Sequence, residues 1–96
     1  MLKITAEHFV KEDSLPQFME LSRRLAEKTV KSDQGCISYS MYQDINDPLH
    51  CTFIEEWETK ELLDKHMQAA HCVELIPKIG ECCSRPTVIA LYEKLF

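Results

Sequence analysis

The stretch FIEEWETKELLDKHMQAAH, Phe53 to His71, decides the fold of this chain. Its first part, up to Trp57, has the composition of a β-strand, and Thr59 is a suitable N-cap for a helix that begins directly afterwards. Apolar residues then recur at helical spacing, and His66 lies in register with them. The sequence therefore predicts a strand that runs straight into a helix, with a tryptophan and two histidines across the junction.

An aromatic side chain and two imidazoles near one sheet edge suggest a pocket for a flat organic molecule. Aromatic faces stack on such rings, and imidazoles transfer protons near neutral pH. Glu55 shares a strand face with Trp57, so it is a candidate to orient a histidine or bind a hydroxyl, or else to bridge to Arg85 or a lysine. A purely structural interpretation is also open. In it, Trp57 packs in the core or in a dimer interface, and His66 is buried with its hydrogen bonds satisfied. His71 is then solvated at a helix end.

The rest of the chain completes a βαββαβ order. Ser14, followed three residues later by Gln17, predicts a capping box at the start of the first helix, and Gly35 is placed to end that helix in a left-handed conformation. Pro77 and Gly80 are expected to break the helical segment near the C-terminus. The predicted strands are Leu2 to Val10, Cys36 to about Gln43, His50 to Glu58 and Thr87 to Leu95. In the first of them two sets of residues alternate with the period of two that is typical of a β-strand.

This order implies an α+β, ferredoxin-like fold in one domain, residues 1–96. In the last strand both alternating sets of side chains are largely apolar, from Thr87 to Tyr92. A sheet with helices on one face normally shows a polar pattern on the other. Because something must cover the second face, the sequence predicts a homodimer.

Composition excludes several classes of protein. With 96 residues and a net charge of −5, the chain has neither a disordered-tail signature nor a basic surface for nucleic acid. No apolar run approaches the roughly 20 residues that cross a bilayer, and the first residues form a strand pattern rather than a signal peptide, so we expect a soluble, cytoplasmic protein.

The five cysteines are expected to be reduced, with the Cys82-Cys83 pair in a loop.

The run IEEWETKELLDKHMQAAH, which contains Glu55, Trp57, His66 and His71, resembles the signature of the antibiotic biosynthesis monooxygenase family. That family includes the bacterial quinol monooxygenases. The upstream GCISYSMYQDINDP resembles the family's second strand and hairpin, and LKITAEHFV its first strand. The resemblance implies a dimeric α+β barrel, in which two four-stranded sheets pack face to face and each subunit keeps a pocket between sheet and helices.

The resemblance also implies a function, the cofactor-independent oxidation of a quinol or polyphenol-type aromatic substrate by molecular oxygen. It implies that His66 is the general base or anion partner and that His71 is a second proton-transfer group. It implies further that Trp57, with Tyr42 or Tyr92, forms the stacking wall of the substrate pocket. The substrate itself is not named by the sequence.

His8 is a further candidate for substrate contact, because it lies near the place where some haem-degrading relatives of this fold carry an asparagine. The alternative is a histidine at the surface edge of the first strand. Three other functions remain open: a non-catalytic ligand-binding dimer, a haem-degrading monooxygenase, and an isomerase of small phosphorylated sugars. The isomerase would need an arginine near the pocket, and the chain offers Arg23, Arg24 and Arg85.

No metal ion or other cofactor is predicted. The motif HMQAAH separates its histidines by five residues, whereas a separation of four aligns two side chains on one helix face. The chain also lacks glycine-rich phosphate loops and the basic, aromatic-interleaved strips of nucleic-acid-binding proteins. The expected partners are therefore a small aromatic substrate and a second copy of the chain.

Overall fold

The computed structural model describes all residues, 1–96, and has the predicted α+β, ferredoxin-like architecture. A short 3-10 turn, Glu12–Ser14, precedes the first α-helix. The strands are β1 (Leu2–Phe9), β2 (Cys36–Asp44), β3 (Asp47–Trp57) and β4 (Val88–Glu93), and the helices are α1 (Leu15–Ser32), α2 (Lys60–Met67) and α3 (Ala70–Glu81). The strands form one antiparallel sheet in the order β2-β3-β1-β4. The second helical segment of the predicted order is thus two helices.

The two faces of the sheet differ in character. One face, here called the helix side, packs against the helices and carries alternate residues of the central strands, such as Ile4 and Ala6 of β1 and Phe53 of β3. The other, here called the open face, carries the intervening residues. Strand register places these side chains on the open face: Thr5, Glu7, Phe9, Tyr42, His50, Thr52, Ile54, Val88, Ala90 and Tyr92.

Two predicted helix starts have different outcomes. Thr59 caps α2 as predicted, since its Oγ1 accepts a hydrogen bond from the backbone N–H of Leu62 at 3.2 Å. The capping box at Ser14 was wrong, because the Ser14 side chain contacts Asp13 and caps no backbone N–H. Pro16 in the first turn of α1 compensates, since proline has no N–H to satisfy there.

Gly35 connects α1 to β2 in the predicted left-handed conformation, with a φ of 87°. The backbone also passes very close to α2. A Cβ at this position would lie 2.4 Å from Cδ1 and 2.8 Å from Cβ of Leu62. Glycine is therefore required here for both its conformation and its lack of a side chain.

The predicted break at Pro77 and Gly80 was wrong, because α3 continues through both residues to Glu81. Pro77 leaves the carbonyl of Val73 without its helical donor, but Val73 is 65% exposed, so water can satisfy that carbonyl. The chain breaks earlier instead, at Gln68 and Ala69, where Ala69 adopts an extended conformation as the N-cap of α3.

All five cysteines are free thiols. Cys82 and Cys83 directly follow α3 in the connection to β4, as predicted, and both side chains are buried. The Sγ atoms of both contact carbonyl oxygens of the last helical turn. Burial raises the pKa of each thiol, which makes them packing residues at neutral pH. None of the helices is long and apolar enough to cross a membrane.

Candidate functional site

A cavity of about 260 Å³ lies between the helix side of the sheet and the helices. Its lining is mostly hydrophobic and comes from every strand and from all three helices. The side chains of Ile89 and Leu91 on the edge strand β4 border it, and they are 56% and 45% exposed, so the cavity opens towards this edge. The polar residues of the lining are His8, Tyr39, Glu55, Asp64 and Thr87.

His8 is the imidazole of this cavity. It projects from β1 onto the helix side, is buried, and packs against the rings of Phe18 and Phe53, with centroids at 5.3 Å and 5.8 Å. Its Nδ1 atom has no hydrogen-bond partner within the chain. Burial lowers the pKa of His8, which favours the neutral ring, and backbone hydrogen bonds at Cys51 and Ala6 oppose this shift. The alternative of an edge histidine at the surface is therefore wrong.

Glu55 is the carboxyl of the same cavity. It projects from β3, is 5% exposed, and its Oε1 accepts a hydrogen bond from Nε1 of Trp57 at 2.9 Å. Burial raises the pKa of Glu55 to about 7, and the hydrogen bond from Trp57 opposes that rise. The carboxyl can thus exchange a proton near neutral pH. The predicted shared face with Trp57 is confirmed, but Arg85 is no partner, since its guanidinium lies over the ring of Phe9 on the open face.

Trp57 packs beside this carboxyl, behind the lining of the cavity. Its side chain is fully buried, and its ring centroid lies 4.6 Å from that of His66. The tryptophan does not line the cavity itself. It acts on the cavity through Glu55, whose orientation and charge its N–H stabilises.

A second group of polar side chains lies behind Trp57. Oδ2 of Asp33, the C-cap residue of α1, is 2.5 Å from Nδ1 of His66 and 2.9 Å from Nε2 of His71. A carboxylate only accepts hydrogen bonds, so each imidazole donates an N–H to this oxygen. Sγ of Cys72 lies 3.4 Å from both ring nitrogens of His66. We call these four residues the Asp33 cluster.

The break between α2 and α3 brings this cluster together. His66 is in the last turn of α2, whereas His71 and Cys72 are in the first turn of α3. The turn at Gln68 and Ala69 redirects the chain, so that both imidazoles reach one carboxylate oxygen. The expectation that five-residue spacing separates the two histidines was therefore wrong, because it assumed one continuous helix.

The other predicted site residues lie in different places. His66 and His71 do not line the cavity, and their assignment as catalytic residues stays a prediction. Tyr42 and Tyr92 are on the open face, where they are 58% and 53% exposed, with the sheet between them and Trp57. Their placement in a stacking wall was therefore wrong. In β4 both alternating sets of residues are largely apolar, so the sequence did not show which way Tyr92 points. In β2, Tyr42 alternates with Tyr39 and Met41 and shares its face with Ser40, so the sequence pattern could have placed it.

Sequence reasoning missed Asp33 and Tyr39. Tyr39 is buried on β2, lines the cavity, and lies with its ring centroid 5.5 Å from that of His66. Asp33 could have been noticed from its place between the end of α1 and Gly35, in a connection that must pass close to another element. Nothing in the sequence indicated which element that was.

Comparison with protein-family models matches residues 1–78 to the antibiotic biosynthesis monooxygenase domain. The chain belongs to the antibiotic biosynthesis monooxygenase family. A solved structure named as an antibiotic biosynthesis monooxygenase is 33% identical, with a TM-score of 0.93 and coverage of 99% of both chains. The structure of a conserved protein from Methanosarcina mazei Go1 is 35% identical, with a TM-score of 0.94, and covers 97% of this chain and 91% of that one.

A curated relative of this antibiotic biosynthesis monooxygenase domain is an uncharacterized protein of Synechocystis sp. It is 33% identical over 84 residues, which is 88% of this chain and 56% of that protein. The chain thus spans a little over half the length of this relative. The family match and the two solved structures confirm the resemblance that the junction of β3 and α2 indicated.

Proposed function

We propose that this protein is a monooxygenase that oxidises a quinol, or another electron-rich phenol, with molecular oxygen and without a resident cofactor. The observation that carries the proposal is an apolar cavity whose buried polar groups include an unpartnered imidazole, His8, and a carboxyl of near-neutral pKa, Glu55. Membership of the antibiotic biosynthesis monooxygenase family supports the same class of reaction.

The lining of the cavity favours a flat aromatic substrate. Its apolar side chains, such as Leu63 and Ile79, offer no partners for a strongly charged molecule. A phosphorylated substrate would call for a nearby cation, and none of the three arginines lines the cavity. This argues against the isomerase alternative.

His8 and Glu55 divide the proton transfers of this reaction between them. Neutral His8 accepts the proton of a phenolic hydroxyl, because its lowered pKa keeps it unprotonated and its ring borders the cavity. The resulting phenolate is electron-rich enough to transfer an electron to oxygen. Recombination of the two radicals forms a carbon–oxygen bond and a peroxide.

Protonated His8 and protonated Glu55 then each give a proton to the peroxide. The Glu55 carboxylate takes the proton from the C–H bond of the oxygenated carbon, a carbonyl forms there, and the oxygen–oxygen bond breaks with loss of water, which restores both side chains to their starting states. In total the substrate loses two hydrogen atoms and gains one oxygen atom, and the second oxygen atom leaves as water. The four-electron oxidation of the substrate thus balances the four-electron reduction of oxygen. The apolar walls keep water from the radical pair.

Oxygen uptake by metal-stripped, flavin-free protein tests the proposal. Reduced menadione and dihydroxynaphthalenes are suitable substrates, and we expect consumption of one oxygen molecule per hydroxyquinone formed. Binding of quinones with no oxygen uptake above the spontaneous rate would instead favour a non-catalytic binding protein. Turnover that appears only after hemin is added, with a Soret band, would favour the haem-degrading alternative.

We further propose that the protein works as a homodimer formed through the open face. The edge of that face exposes Val88 and Tyr92, and the central part carries Ile54 and Phe9. Val88→Glu should yield a monomer, since an unpaired charge in a buried interface costs several kcal/mol. Val73→Glu, on the exposed surface of α3, is the matched control. Light scattering at micromolar concentration that finds a monomeric wild type, or a dimeric Val88→Glu protein, would contradict this proposal.

A further inference from the structure

We infer that the Asp33 cluster is a binding site for a divalent cation of the zinc class. The ligand atoms of its four residues all lie within 4.8 Å of one another. None of these residues lines the cavity in which we propose the oxidation to occur. The site therefore goes beyond the proposed function, which needs no metal ion.

The donor set matches the preference of this class of cation. Two imidazoles, one thiol and one carboxylate supply nitrogen, sulfur and oxygen, the ligands that zinc takes in proteins. Hard cations such as magnesium and calcium prefer oxygen ligands, so they are disfavoured here. With a thiolate from Cys72 and the carboxylate of Asp33, two negative charges would balance a divalent cation.

The spacing of the ligand atoms is close to that of a tetrahedral site. Zinc bonds of about 2.1 Å to nitrogen or oxygen and 2.3 Å to sulfur place tetrahedral ligand atoms roughly 3.3–3.6 Å apart. The distance from Cys72 Sγ to His66 Nδ1 is 3.4 Å, and the two imidazole contacts to Asp33 Oδ2 are 2.5 Å and 2.9 Å. For a cation to replace the hydrogen-bonding protons, the two contacts to Asp33 must lengthen, and the widest pairs of ligand atoms, which lie within 4.8 Å, must shorten.

The cluster is shielded, yet solvent reaches one side of it. The side chains of His66, Asp33 and His71 are 1%, 10% and 12% exposed, and Cys72 is buried. An open depression lined by Asp33, His66, Gln68 and other residues of this region adjoins the cluster. It gives a cation an entry path that does not pass through the cavity.

Four protein ligands leave no open coordination position, which is typical of a structural rather than a catalytic zinc site. The ligands come from the connection after α1, from the end of α2 and from the start of α3. A bound cation would hold these three segments together behind Trp57. It would thus stabilise the break between the two helices without taking part in the oxidation.

Cobalt(II) is the probe that tests this site, because tetrahedral Co²⁺ absorbs visible light and a thiolate ligand adds a charge-transfer band. Chelator-treated, reduced protein titrated with cobalt chloride should show both features and reach saturation at one ion per chain. Zinc should then displace the cobalt, because it binds such sites more tightly. Absence of the visible bands, or octahedral spectra alone, would overturn the proposal.

Single-residue variants test which side chains bind the cobalt ion. Cys72→Ser should abolish the charge-transfer band, and His71→Ala should weaken cobalt binding at least about a hundredfold. Cys51→Ser is the matched control, because Cys51 is equally buried on β3 and is not in the cluster. A charge-transfer band that survives in Cys72→Ser, or that is lost in Cys51→Ser, would show that other thiols bind the metal. Either result would contradict the proposed site. Circular dichroism of each apo variant verifies that it is folded.

Discussion

His8 and His66 are both buried imidazoles on the same side of the sheet, and burial lowers the pKa of both, yet their surroundings differ. His8 lies among hydrophobic residues at the wall of a cavity and has a nitrogen with no partner. His66 donates its proton to a carboxylate that a second histidine shares. Burial alone therefore does not identify a catalytic histidine. The two histidines differ in what surrounds them, and on that ground we propose His8, which borders the cavity, as the base.

The largest expected effect separates these two histidines directly. His8→Asn keeps a polar side chain of similar volume but removes the base, so turnover should fall by roughly 10²-fold or more. His66→Asn should change turnover much less if the cavity is the site of reaction. Initial rates of oxygen uptake, in variants whose fold circular dichroism verifies, make this comparison. The reverse order of effects would return the catalytic role to His66, as the family resemblance implies.

The next prediction concerns His66 and the carboxylate of Asp33 to which it is hydrogen-bonded. Asp33→Ala removes the acceptor for both His66 and His71, and it leaves a buried donor on His66 and a largely shielded donor on His71 unsatisfied. We expect the free energy of unfolding to fall by about 1–3 kcal/mol, measured by urea denaturation without metal. Asp13→Ala, at an exposed aspartate, is the control and should stay within about 0.5 kcal/mol of wild type. Equal stability of the two variants would show that the hydrogen bonds of Asp33 contribute nothing.

The third effect concerns the carboxyl in the cavity. Because the pKa of Glu55 rises from 4.5 to about 7 on folding, the native state holds a proton that the unfolded state releases between these values. The stability contribution of Glu55 should therefore be present below pH 4.5 and decline up to about pH 7, by about 1–3 kcal/mol. Urea midpoints across this range should show the decline in wild type but not in Glu55→Gln. Parallel pH profiles would contradict the raised pKa.

The smallest effect links the two regions. Trp57→Phe keeps a ring against His66 but removes the N–H that stabilises the Glu55 carboxylate. The pKa of Glu55 should then rise further, by less than about one unit. Carbon NMR titration of labelled glutamate carboxyls measures this shift directly. An unchanged or lower pKa would mean that this hydrogen bond does not tune the carboxyl.

The sequence predicted the fold well because its signals there are local. The alternation in β1, the cap at Thr59 and the left-handed Gly35 each depend on a few neighbouring residues, and the structure confirms all three. Helix breaks were predicted less well. Pro77 is tolerated because its effect depends on how much solvent reaches the preceding turn, which the sequence does not state.

The sequence named several residues of the candidate site but not the contacts between them. The junction of β3 and α2 correctly pointed to Glu55 and Trp57 as neighbours, and His8 was among the candidates. The partner of both downstream histidines, Asp33, lies more than thirty residues away along the chain. Such pairing depends on how α1 ends and how α2 packs, and these are properties of the whole fold.

Gly35 has a consequence for the tolerance of the chain to mutation. Its missing side chain lets the connection after α1 lie directly on Leu62, and this contact holds Asp33 within reach of the histidines. In a saturation-mutagenesis library, position 35 should therefore be depleted as strongly as the cluster residues, although it contributes no donor or acceptor side chain. A single methyl group at this position would act at a distance, through the helix that it displaces.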